Sequence, residues 1–333
     1  MARIKIVCDE KWVTGDLARV IQRGLNQDYD IALHGDITRP AVSDYDILHL
    51  MIWSLYNKNY PDGFVLSFHH MDEHWSGYNT KNAWLTVGRA NVVVVPNYGI
   101  MHEVKKRFPK KPVVMCPYPV PAIPFKHMPP TTYTWAEKVT LRKRFGLPID
   151  RQIIGHISSL HQRKGMHIFL SHWDKIKKEV PDIYLAIFYW VTRGGNSQKI
   201  LADIQEMARQ DPDHLGVYNL EKIRPDLPRG MEYGLMDAYF SFSFVEGGPM
   251  TAAEAGFMGL PLIVSNAGMF GDDMLSWTVN PFVPGDWKAA VDQIRIFYAG
   301  GMFPRVTNLF VGSIDKYCQA YDKAYQMVEG YHG

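Results

Sequence analysis

Short apolar runs, most of them rich in β-branched residues, recur along the whole chain and alternate with polar loops or with segments of helical periodicity. Runs of four to eight such residues are typical of strands that are buried on both faces. Strands that are joined by helices pair in parallel. The alternation therefore predicts an α/β protein.

Several runs in the first third of the chain predict strands. They are Ile4–Val7, Ile31–His34, Ile47–Trp53, Phe64–Phe68, Asn91–Val95 and Val113–Cys116. Apolar residues at helical spacing predict a helix over Gly15–Leu25, and a second helix is expected over His102–Phe108. This order favours a parallel sheet that is covered on both faces.

A proline-rich stretch interrupts the pattern between residues 117 and 130. Proline has no N–H to donate to a sheet, so this stretch is unsuited to a central strand and typical of a linker. The pattern then restarts, with helices expected over Met166–Val180, Thr251–Met258 and Asp286–Ala299. The further strands are expected at Gln152–His156, Ile183–Tyr189, Val217–Leu220, Ala238–Phe244 and Leu262–Ser265.

The length of 333 residues favours two domains. We therefore predict two doubly wound, Rossmann-like α/β domains with a cleft between them, joined near residues 120–150. The first domain is expected over residues 1–145 and the second over residues 146–310. A long amphipathic helix is expected in residues 311–333, and its return to the first domain is an open alternative. In such sheets, ligands bind at the carboxyl ends of the strands.

The composition excludes several classes of protein. With 47% hydrophobic and 21% charged residues, the chain has the balance of a soluble globular protein. Its net charge of +2 is too small to argue by itself for a nucleic-acid or anionic-membrane partner. Cys8, Cys116 and Cys318 are far apart, so no disulfide framework is expected and a cytoplasmic location is predicted. The longest apolar run, residues 183–191, is too short to span a membrane, and the first residues predict a strand instead of a signal peptide.

The sequence VEGGPMTAAEAG, residues 245–256, directly follows a predicted strand. It carries two carboxylates, Glu246 and Glu254, with a two-glycine turn and a helix start between them. Gly247 and Gly248 let the backbone approach a ligand closely, and the free N–H groups of a helix start favour an anion. A carboxylate one turn into the helix can accept hydrogen bonds from the two hydroxyl groups of a ribose. The plainer alternative is a tight turn followed by a carboxylate that interacts with the helix dipole.

This stretch resembles the E-x7-E motif of retaining GT-B glycosyltransferases, the group related to glycogen synthase and to mannosyltransferases that is often called family 4. The usual wording is E-G-F-G-L-P-x-x-E-A-x-x-x-G-x-P-V-I. In this chain the motif stands as Glu246-Gly247-Gly248, followed by Glu254, Ala255, Gly259, Pro261 and the apolar residues 262–264. The resemblance implies the GT-B fold over most of the chain, most strongly in residues 150–270. Pro249 and Thr251 depart from the pattern, because the family's second glycine and its proline are not in their usual places.

The loop after the predicted strand Gln152–His156 carries a second part of the resemblance. The family has G-R-x-x-x-x-K-G here, with the arginine and the lysine on the donor diphosphate, and Lys164-Gly165 matches its end. Ser159 stands at the arginine position, so the second cation is assigned to Arg163 or to Arg193. Cations at this place would stabilise the charge that a leaving diphosphate gains. The plainer alternative is a solvated loop, because Lys and Arg are mostly surface residues.

Two histidines, His69 and His70, end the predicted strand Phe64–Phe68. The family has a histidine at this strand end, next to the reacting sugar, and the resemblance assigns that position to His69, with His70 as the second choice. The alternative is a polar group that caps the strand. Together with His74 these residues have a spacing seen in zinc sites. No acidic or cysteine partner set confirms such a site, and GT-B enzymes need no metal, so no metal site is predicted.

The remaining assignments follow from the same resemblance. Gly15 belongs to the loop whose amides approach the donor or the acceptor. Leu220 lies in the segment whose backbone holds the nucleotide base. Glu254 is assigned to the ribose diol, and Glu246 to the sugar hydroxyls or to the positive charge that develops on the sugar.

The function implied by the resemblance is that of a retaining, hexosyltransferase-like glycosyltransferase. It would move a sugar from a UDP- or GDP-sugar, held mainly by the second domain, to an acceptor held by the first. Glu246, His69 and Lys164 are the predicted catalytic residues. Retention in this family is attributed to front-side attack with the leaving phosphate as the base, so no protein nucleophile is named and no cofactor is required.

The sequence does not predict the acceptor or the oligomeric state. A glycan, a lipid-linked molecule and a small molecule are open, and DNA is less favoured. One cluster is typical of a peripheral membrane contact or a DNA-backbone patch, although a solvated helix end is the commoner explanation; it contains Lys105, Lys106, Arg107, Phe108, Lys110 and Lys111. The alternative functions are a phage-type glycosyltransferase for modified DNA bases, an inactive protein that binds sugar nucleotides, and a GT-B epimerase.

Overall fold

The computed structural model describes most of the chain. The described residues are 1–9, 13–35, 45–56, 60, 63–69, 80–119, 133–190, 195–223, 230–271, 280–303 and 313–329. They fall into two compact units. The first unit lies within Met1–Ile123, Glu246–Gly248 and Phe310–Gly333, and the second lies within Pro124–Val245 and Pro249–Leu309. The domain boundaries expected from the sequence stay predictions.

The helices of both units are numbered in chain order. They are α1 Val13–Leu25, α2 Thr80–Arg89, α3 Tyr98–Arg107, α4 Trp135–Phe145, α5 Met166–Leu170, α6 Trp173–Glu179, α7 Gly195–Gln210, α8 Leu220–Ile223, α9 Met250–Phe257, α10 Trp287–Tyr298 and α11 Ser313–Glu329.

The first unit contains a parallel sheet in the order β2-β1-β3-β4-β5-β6. Its strands are β1 Arg3–Val7, β2 Asp30–His34, β3 Ile47–Leu50, β4 Val65–Ser67, β5 Val92–Val95 and β6 Val113–Met115. The chain reverses its direction of winding between β1 and β3, which makes this the topological switch point of the sheet. β3, β4 and β5 are buried along their whole length, because helices cover both faces.

The C-terminal helix α11 belongs to the first unit and packs against α1 and against strands β3 to β6. Its aromatic residues Tyr317, Tyr321 and Tyr325 repeat every four positions and are almost completely buried, as expected for one face of a helix. Helices α1 and α11 approach each other closely at Gly24, since a Cβ atom there would lie 2.3 Å from the Cys318 Sγ. The spacing of the tyrosines thus fixes which face of α11 meets the sheet.

The second unit contains a parallel sheet in the order β11-β10-β7-β8-β9. Its strands are β7 Ile154–Ser159, β8 Leu185–Trp190, β9 Leu215–Asn219, β10 Ala238–Ser241 and β11 Leu262–Val264. The switch point lies between β7 and β10, the first and fourth strands of this unit. Ligands of such sheets bind outside the carboxyl ends of the two strands at the switch point.

Helix α4 is anchored to the start of this second sheet by a buried ion cluster. Arg142, which is fully buried, and Lys138 each donate to the Asp237 carboxylate, at 2.6 and 2.7 Å. The same carboxylate accepts from the backbone N–H of Ile153 at 2.8 Å. These contacts hold the pKa of Asp237 below its usual range, against the effect of its burial.

The predicted fold class, α/β with two Rossmann-like parallel sheets, is confirmed. The helix expected over Met166–Val180 is divided into α5 and α6. The Ser171 hydroxyl donates to the carbonyl of Ile168 at 2.6 Å and so competes with the helical hydrogen bonds at this point. Helices α2, α4, α7 and the short α8 were not predicted, although Thr134 and Glu137 form a capping box at the start of α4.

Candidate functional site

The basic residues Arg163 and Lys164 lie in a one-turn 3₁₀ helix, Gln162–Lys164, directly after β7. The turn ends at Gly165, whose φ of +72° is in the left-handed region that favours glycine. A Cβ atom at Gly165 would lie 2.2 Å from the carbonyl oxygen of Phe242. Two independent constraints, backbone conformation and close packing, therefore require glycine at this position.

Arg163 joins this turn to the chain that leaves β10. Its carbonyl accepts from the Phe244 N–H at 2.8 Å, and its guanidinium donates to the carbonyl of Val245 at 3.1 Å. The residue after Val245 is Glu246, the first carboxylate of the E-x7-E motif. The turn that carries Lys164 is thus fixed to the segment that leads into the motif, at the switch point of the second sheet.

Helix α9 begins in the second unit at Met250, with Pro249 before it. Among the described residues, no side chain caps the first turn of α9. The Thr251 hydroxyl lies instead against the core side of the sheet, 2.6 Å from the Tyr239 hydroxyl and 3.1 Å from the carbonyl of Ile157. The backbone at this helix start is therefore of the kind that binds an anion.

Glu254, the second carboxylate of the motif, lies inside α9 and is only 6% exposed. The Tyr233 hydroxyl donates to its Oε2 at 2.6 Å. Burial and the neighbouring Glu254 raise the pKa of Tyr233 well above its usual value, so the phenol remains a donor. Tyr233 thereby orients the carboxylate from the side of the core.

The turn residues Glu246–Gly248 belong to the first unit. The Asn97 Nδ2 donates to the carbonyl of Gly247 at 2.8 Å. A Cβ atom at Gly247 would lie 1.9 Å from the carbonyl oxygen of His69, and one at Gly248 would lie 2.3 Å from the Tyr118 ring. The turn is therefore packed so closely on its neighbours that neither glycine leaves space for a side chain.

His69 follows β4, and the hydrogen bonds of its imidazole determine its tautomer. Nε2 lies 2.5 Å from the carbonyl of Met51, which only accepts, so Nε2 carries the proton. Nδ1 consequently accepts from the Tyr118 hydroxyl at 2.6 Å. Burial lowers the pKa of His69 to about 4, which leaves the ring neutral at pH 7. In this arrangement, His69 faces the motif turn with its backbone carbonyl, and its ring nitrogens are bonded within the unit.

A second buried histidine, His49, lies on the neighbouring strand β3. Its Nδ1 is 2.9 Å from the Tyr325 hydroxyl and its Nε2 is 2.8 Å from the Ser67 hydroxyl. Ser67 is in turn 2.6 Å from the Tyr321 hydroxyl. Burial lowers the pKa of His49 to about 3, and nearby His69 adds to this effect. The network connects α11 to the interior of the first sheet.

Gly15 and Leu220 each lie in the first turn of a helix. Gly15 is buried in the first turn of α1, after β1 and thus beside the switch point of the first sheet. Leu220 directly follows β9 as the first residue of α8, and its side chain is completely buried. The roles of both residues stay predictions.

The structure brings the sequence-predicted residues together in two groups. In the first unit, His69 contacts the turn that contains Gly247. In the second unit, the turn of Arg163 and Lys164 contacts the exit of β10. His70, His74, Arg193 and residues 120–132 lie outside the described residues. The catalytic and binding roles that the sequence analysis assigned to all of these residues, in both groups and outside the described part, stay predictions.

Sequence reasoning missed three side chains that bond to the site, Asn97, Tyr118 and Tyr233. Asn97 had a local signal, since asparagine before a helix is a common N-cap. Tyr118 and Tyr233 bond to residues 49 and 21 positions away. Because these contacts depend on tertiary packing, no local pattern in the sequence indicates them.

The basic cluster around Phe108 is largely bonded within its own unit. The Lys105 Nζ donates to the carbonyl of Lys111 at 2.7 Å, and the Lys111 Nζ donates to that of Gly88 at 2.9 Å. The Arg107 guanidinium lies 4.0 Å from the centre of the Trp84 ring, a cation–π contact. These contacts bond part of the cluster within the unit, and both the solvated helix end and a peripheral membrane or DNA contact stay predictions.

The described residues contain neither a candidate metal site nor a candidate membrane-spanning helix. In this part of the chain, no group of three or more His, Cys, Asp or Glu side chains is arranged to hold a metal ion. No helix in the same residues combines the length and the apolar character that crossing a membrane requires.

Comparisons with known structures agree with the fold over the whole chain. HepE from Anabaena, solved with UDP and glucose, superposes with a TM-score of 0.69 at 13% identity, covering 98% of this chain and all of that one. Sucrose-phosphate synthase from Thermosynechococcus elongatus gives 0.65 at 14% identity, covering 100% and 98%. The catalytic domain of starch synthase IV from Arabidopsis thaliana, bound to ADP and acarbose, gives 0.64 at 11% identity, covering 99% of each chain. At these identities the likeness concerns the fold.

Curated protein sequences gave no match. Residues 137–305, about half of the chain, match the family model "Glycosyl transferases group 1". The matched region contains the Arg163–Lys164 turn and the complete E-x7-E stretch. The predicted resemblance is thus confirmed at the level of family and fold: the protein belongs to the glycosyl transferases of group 1 and has the GT-B fold.

Proposed function

We propose that this glycosyltransferase uses a UDP- or GDP-sugar as its donor and transfers the sugar with retention of configuration. The observation that carries the proposal is the junction at the switch point of the second sheet. There Arg163 bonds to Phe244 and Val245, so that a cationic turn is fixed beside the chain that enters the E-x7-E motif. A diphosphate ester matches such a junction in charge.

The diphosphate is assigned to Lys164, Arg163 and the start of α9. Breaking the bond between sugar and diphosphate adds negative charge to the leaving group, and cations that are already in position stabilise that charge. The uncapped first turn of α9 adds N–H donors and the positive end of the helix dipole. Lys164 stands at the lysine of the family's K-G motif, and it is the cation that we expect to carry most of this effect.

The two carboxylates are assigned to the two ends of the donor. Glu254, oriented by Tyr233, accepts from the ribose hydroxyls. Glu246 accepts from hydroxyls of the transferred sugar or stabilises its developing positive charge. His69 contributes from the strand end of the first unit. Its neutral ring and its bonds to Met51 and Tyr118 suit a group that shapes the site better than one that exchanges protons.

The donor base is assigned by analogy with structural neighbours. HepE was solved in complex with UDP-glucose, and starch synthase IV with ADP. The segment that follows β9, with Leu220, is the proposed contact for the base. We assign the acceptor side to the first unit and place the reaction in the cytoplasm, with a glycan, a lipid-linked molecule or a small molecule as the acceptor.

The first experiment is a thermal-shift screen of the wild-type protein against UDP-, GDP-, ADP- and dTDP-sugars. A ligand at 100 times its dissociation constant raises the free energy of unfolding by about 2.7 kcal/mol. We expect one UDP- or GDP-sugar to raise the melting temperature, and proton NMR of the product to show the anomeric configuration of the donor. A screen without any shift, or a product of inverted configuration, would contradict the proposal.

The second experiment is Lys164→Ala, with Lys178→Ala as the control. We expect kcat to fall by about 100- to 1,000-fold in the first variant, since a donor to the developing charge is lost, and the melting temperature to stay that of the wild type. Lys178 is an exposed lysine on α6 of the same unit, and its variant should keep full activity. Equal activity of the two variants would remove Lys164 from the proposed site.

A further inference from the structure

Asn97 connects the start of α3 to the turn of the E-x7-E motif. Its backbone is extended, with φ −152° and ψ 162°, and its side chain is 3% exposed. The Oδ1 accepts from the N–H of Ile100 at 2.8 Å, which caps the helix. The Nδ2 donates to the carbonyl of Gly247 at 2.8 Å. One buried amide therefore serves two backbone groups at once.

The two bonds also determine how the amide is oriented. A flipped amide would place its NH₂ group against the N–H of Ile100 and its oxygen against the carbonyl of Gly247, and both contacts would be repulsive. Aspartate or serine would cap α3 as well as asparagine does. Aspartate has no donor at neutral pH, however, and serine is one atom shorter. The bond to Gly247 is thus the contact that requires an amide here.

The carbonyl of Gly247 belongs to the peptide that follows Glu246-Gly247. The Cα atom of Gly247 has no space for a side chain, because a Cβ atom there would lie 1.9 Å from the carbonyl oxygen of His69. The hydrogen bond from Asn97 holds the carbonyl of the same residue. A steric stop at the Cα atom together with a donor on the oxygen fixes the orientation of the peptide. Because Glu246 is bonded directly to Gly247, holding Gly247 limits the directions in which the chain can present Glu246.

We propose that Asn97 is a positioning residue for Glu246. It acts through the Gly247 peptide and touches neither the donor nor the acceptor. The inference rests on the proposed role of Glu246 in sugar transfer. A misplacement of about 1 Å in an active site can cost as much as about 100-fold in rate, so the loss of a single buried hydrogen bond is expected to be visible in kcat.

The test compares Asn97→Ser, Asn97→Ala and Thr134→Ala. Asn97→Ser keeps a cap for α3 and loses the bond to Gly247, whereas Asn97→Ala loses both. Thr134→Ala removes the N-cap of α4 and serves as the control for the general cost of losing a cap. For each variant we would measure the melting temperature, and kcat and KM with the nucleotide sugar that the thermal-shift screen identifies.

We expect kcat of Asn97→Ser to fall at least about tenfold with KM changed less than about twofold, at a melting temperature close to that of the wild type. Thr134→Ala should melt at a lower temperature and keep the wild-type kcat. A purely structural cap would produce the opposite pattern, a wild-type kcat in Asn97→Ser, and that result would overturn the proposal.

A crystal structure of Asn97→Ser separates this inference from the proposed function. If the wild type turns over no nucleotide sugar, the proposed function fails, but the position of the turn can still be compared. We expect the Gly247 carbonyl to move by about 1 Å or to change its direction, the scale of displacement that matters for catalysis. A turn that keeps the wild-type position without the amide would overturn the proposal, whatever the activity.

Discussion

The two halves of the E-x7-E stretch differ in how they are held. Residues 246–248 are packed in the first unit, with the Gly247 carbonyl bonded to Asn97 and its Cα atom against the His69 carbonyl. Residues 249–254 lie in the second unit, where α9 begins without a side-chain cap. Asn97, Thr134 and Asp286 cap the starts of α3, α4 and α10, whereas α5 and α6, like α9, begin without a side-chain cap.

We infer from this difference that residues 246–248 fix the geometry of the turn, and we propose that the start of α9 is open to a ligand. A turn with a hydrogen-bonded carbonyl and no space for a Cβ atom has one conformation, which is what the placement of Glu246 needs. A helix start that lacks a cap leaves backbone donors for another partner. On this proposal, the first half holds Glu246 in position for the sugar, and the start of the second half receives the diphosphate. Three changes to the protein or its conditions test this contrast.

The largest effect is expected from Gly247→Ala, which attacks the first half. The new Cβ atom would lie 1.9 Å from the carbonyl oxygen of His69, and a backbone atom cannot turn away as a side chain can. Overpacking of this kind should lower the free energy of unfolding by about 3 kcal/mol or more, and transfer should be lost because the turn must move. Chemical denaturation and a transfer assay measure the two effects.

Gly88→Ala is the matched control. It lies in α2 of the same unit, where a Cβ atom would meet Phe108 at an ordinary 3.5 Å. Replacing a helical glycine by alanine should raise the stability by about 0.5–1 kcal/mol. If both variants unfolded like the wild type, the close packing of the motif turn would be refuted.

A smaller effect is expected on acidification, through the histidine beneath the turn. His69 has its pKa lowered to about 4 by burial, so between pH 6.5 and 4 the unfolded chain binds a proton that the folded chain does not. The free energy of unfolding should therefore fall as the pH falls through this window. For His69 alone the loss at pH 5 is about 2 kcal/mol.

His69→Asn removes this part of the pH dependence. Denaturation curves at pH 7 and pH 5 should show a difference for the variant that is about 2 kcal/mol smaller than for the wild type. Carboxylates such as Asp237, whose pKa is lowered from 3.8, lose their contribution to the free energy of unfolding only at lower pH. They therefore do not affect the difference between pH 7 and pH 5. The same pH dependence in both proteins would show that His69 is not buried as a neutral ring.

The sequence was sufficient for features that depend on neighbours along the chain. Buried strands such as Val92–Val95 can be predicted from their composition. The turn at Lys164-Gly165 could be located from its motif, because its left-handed residue needs glycine. Helix α4 was missed although the pair Thr134 and Glu137 is a local signal, since the nearby prolines favoured a linker. The attachment of Gly247 to Asn97, 150 positions away, depends on which strands become neighbours and could not be predicted locally.

The smallest effect is expected from capping the second half. Pro249→Asp adds a carboxylate at the start of α9, and Pro249→Ala controls for the loss of the proline, which by itself lowers stability. The aspartate variant should be more stable than the alanine variant by about 1 kcal/mol, because it supplies the cap.

The same carboxylate should repel the proposed diphosphate and raise the KM for the donor about tenfold, a penalty of roughly 1.4 kcal/mol. Pro249→Asn, which caps without charge, should show the gain in stability with a smaller rise in KM. If the aspartate variant bound the donor as tightly as the alanine variant, the start of α9 would not be a binding site for the diphosphate, and the contrast between the two halves would be one of packing alone.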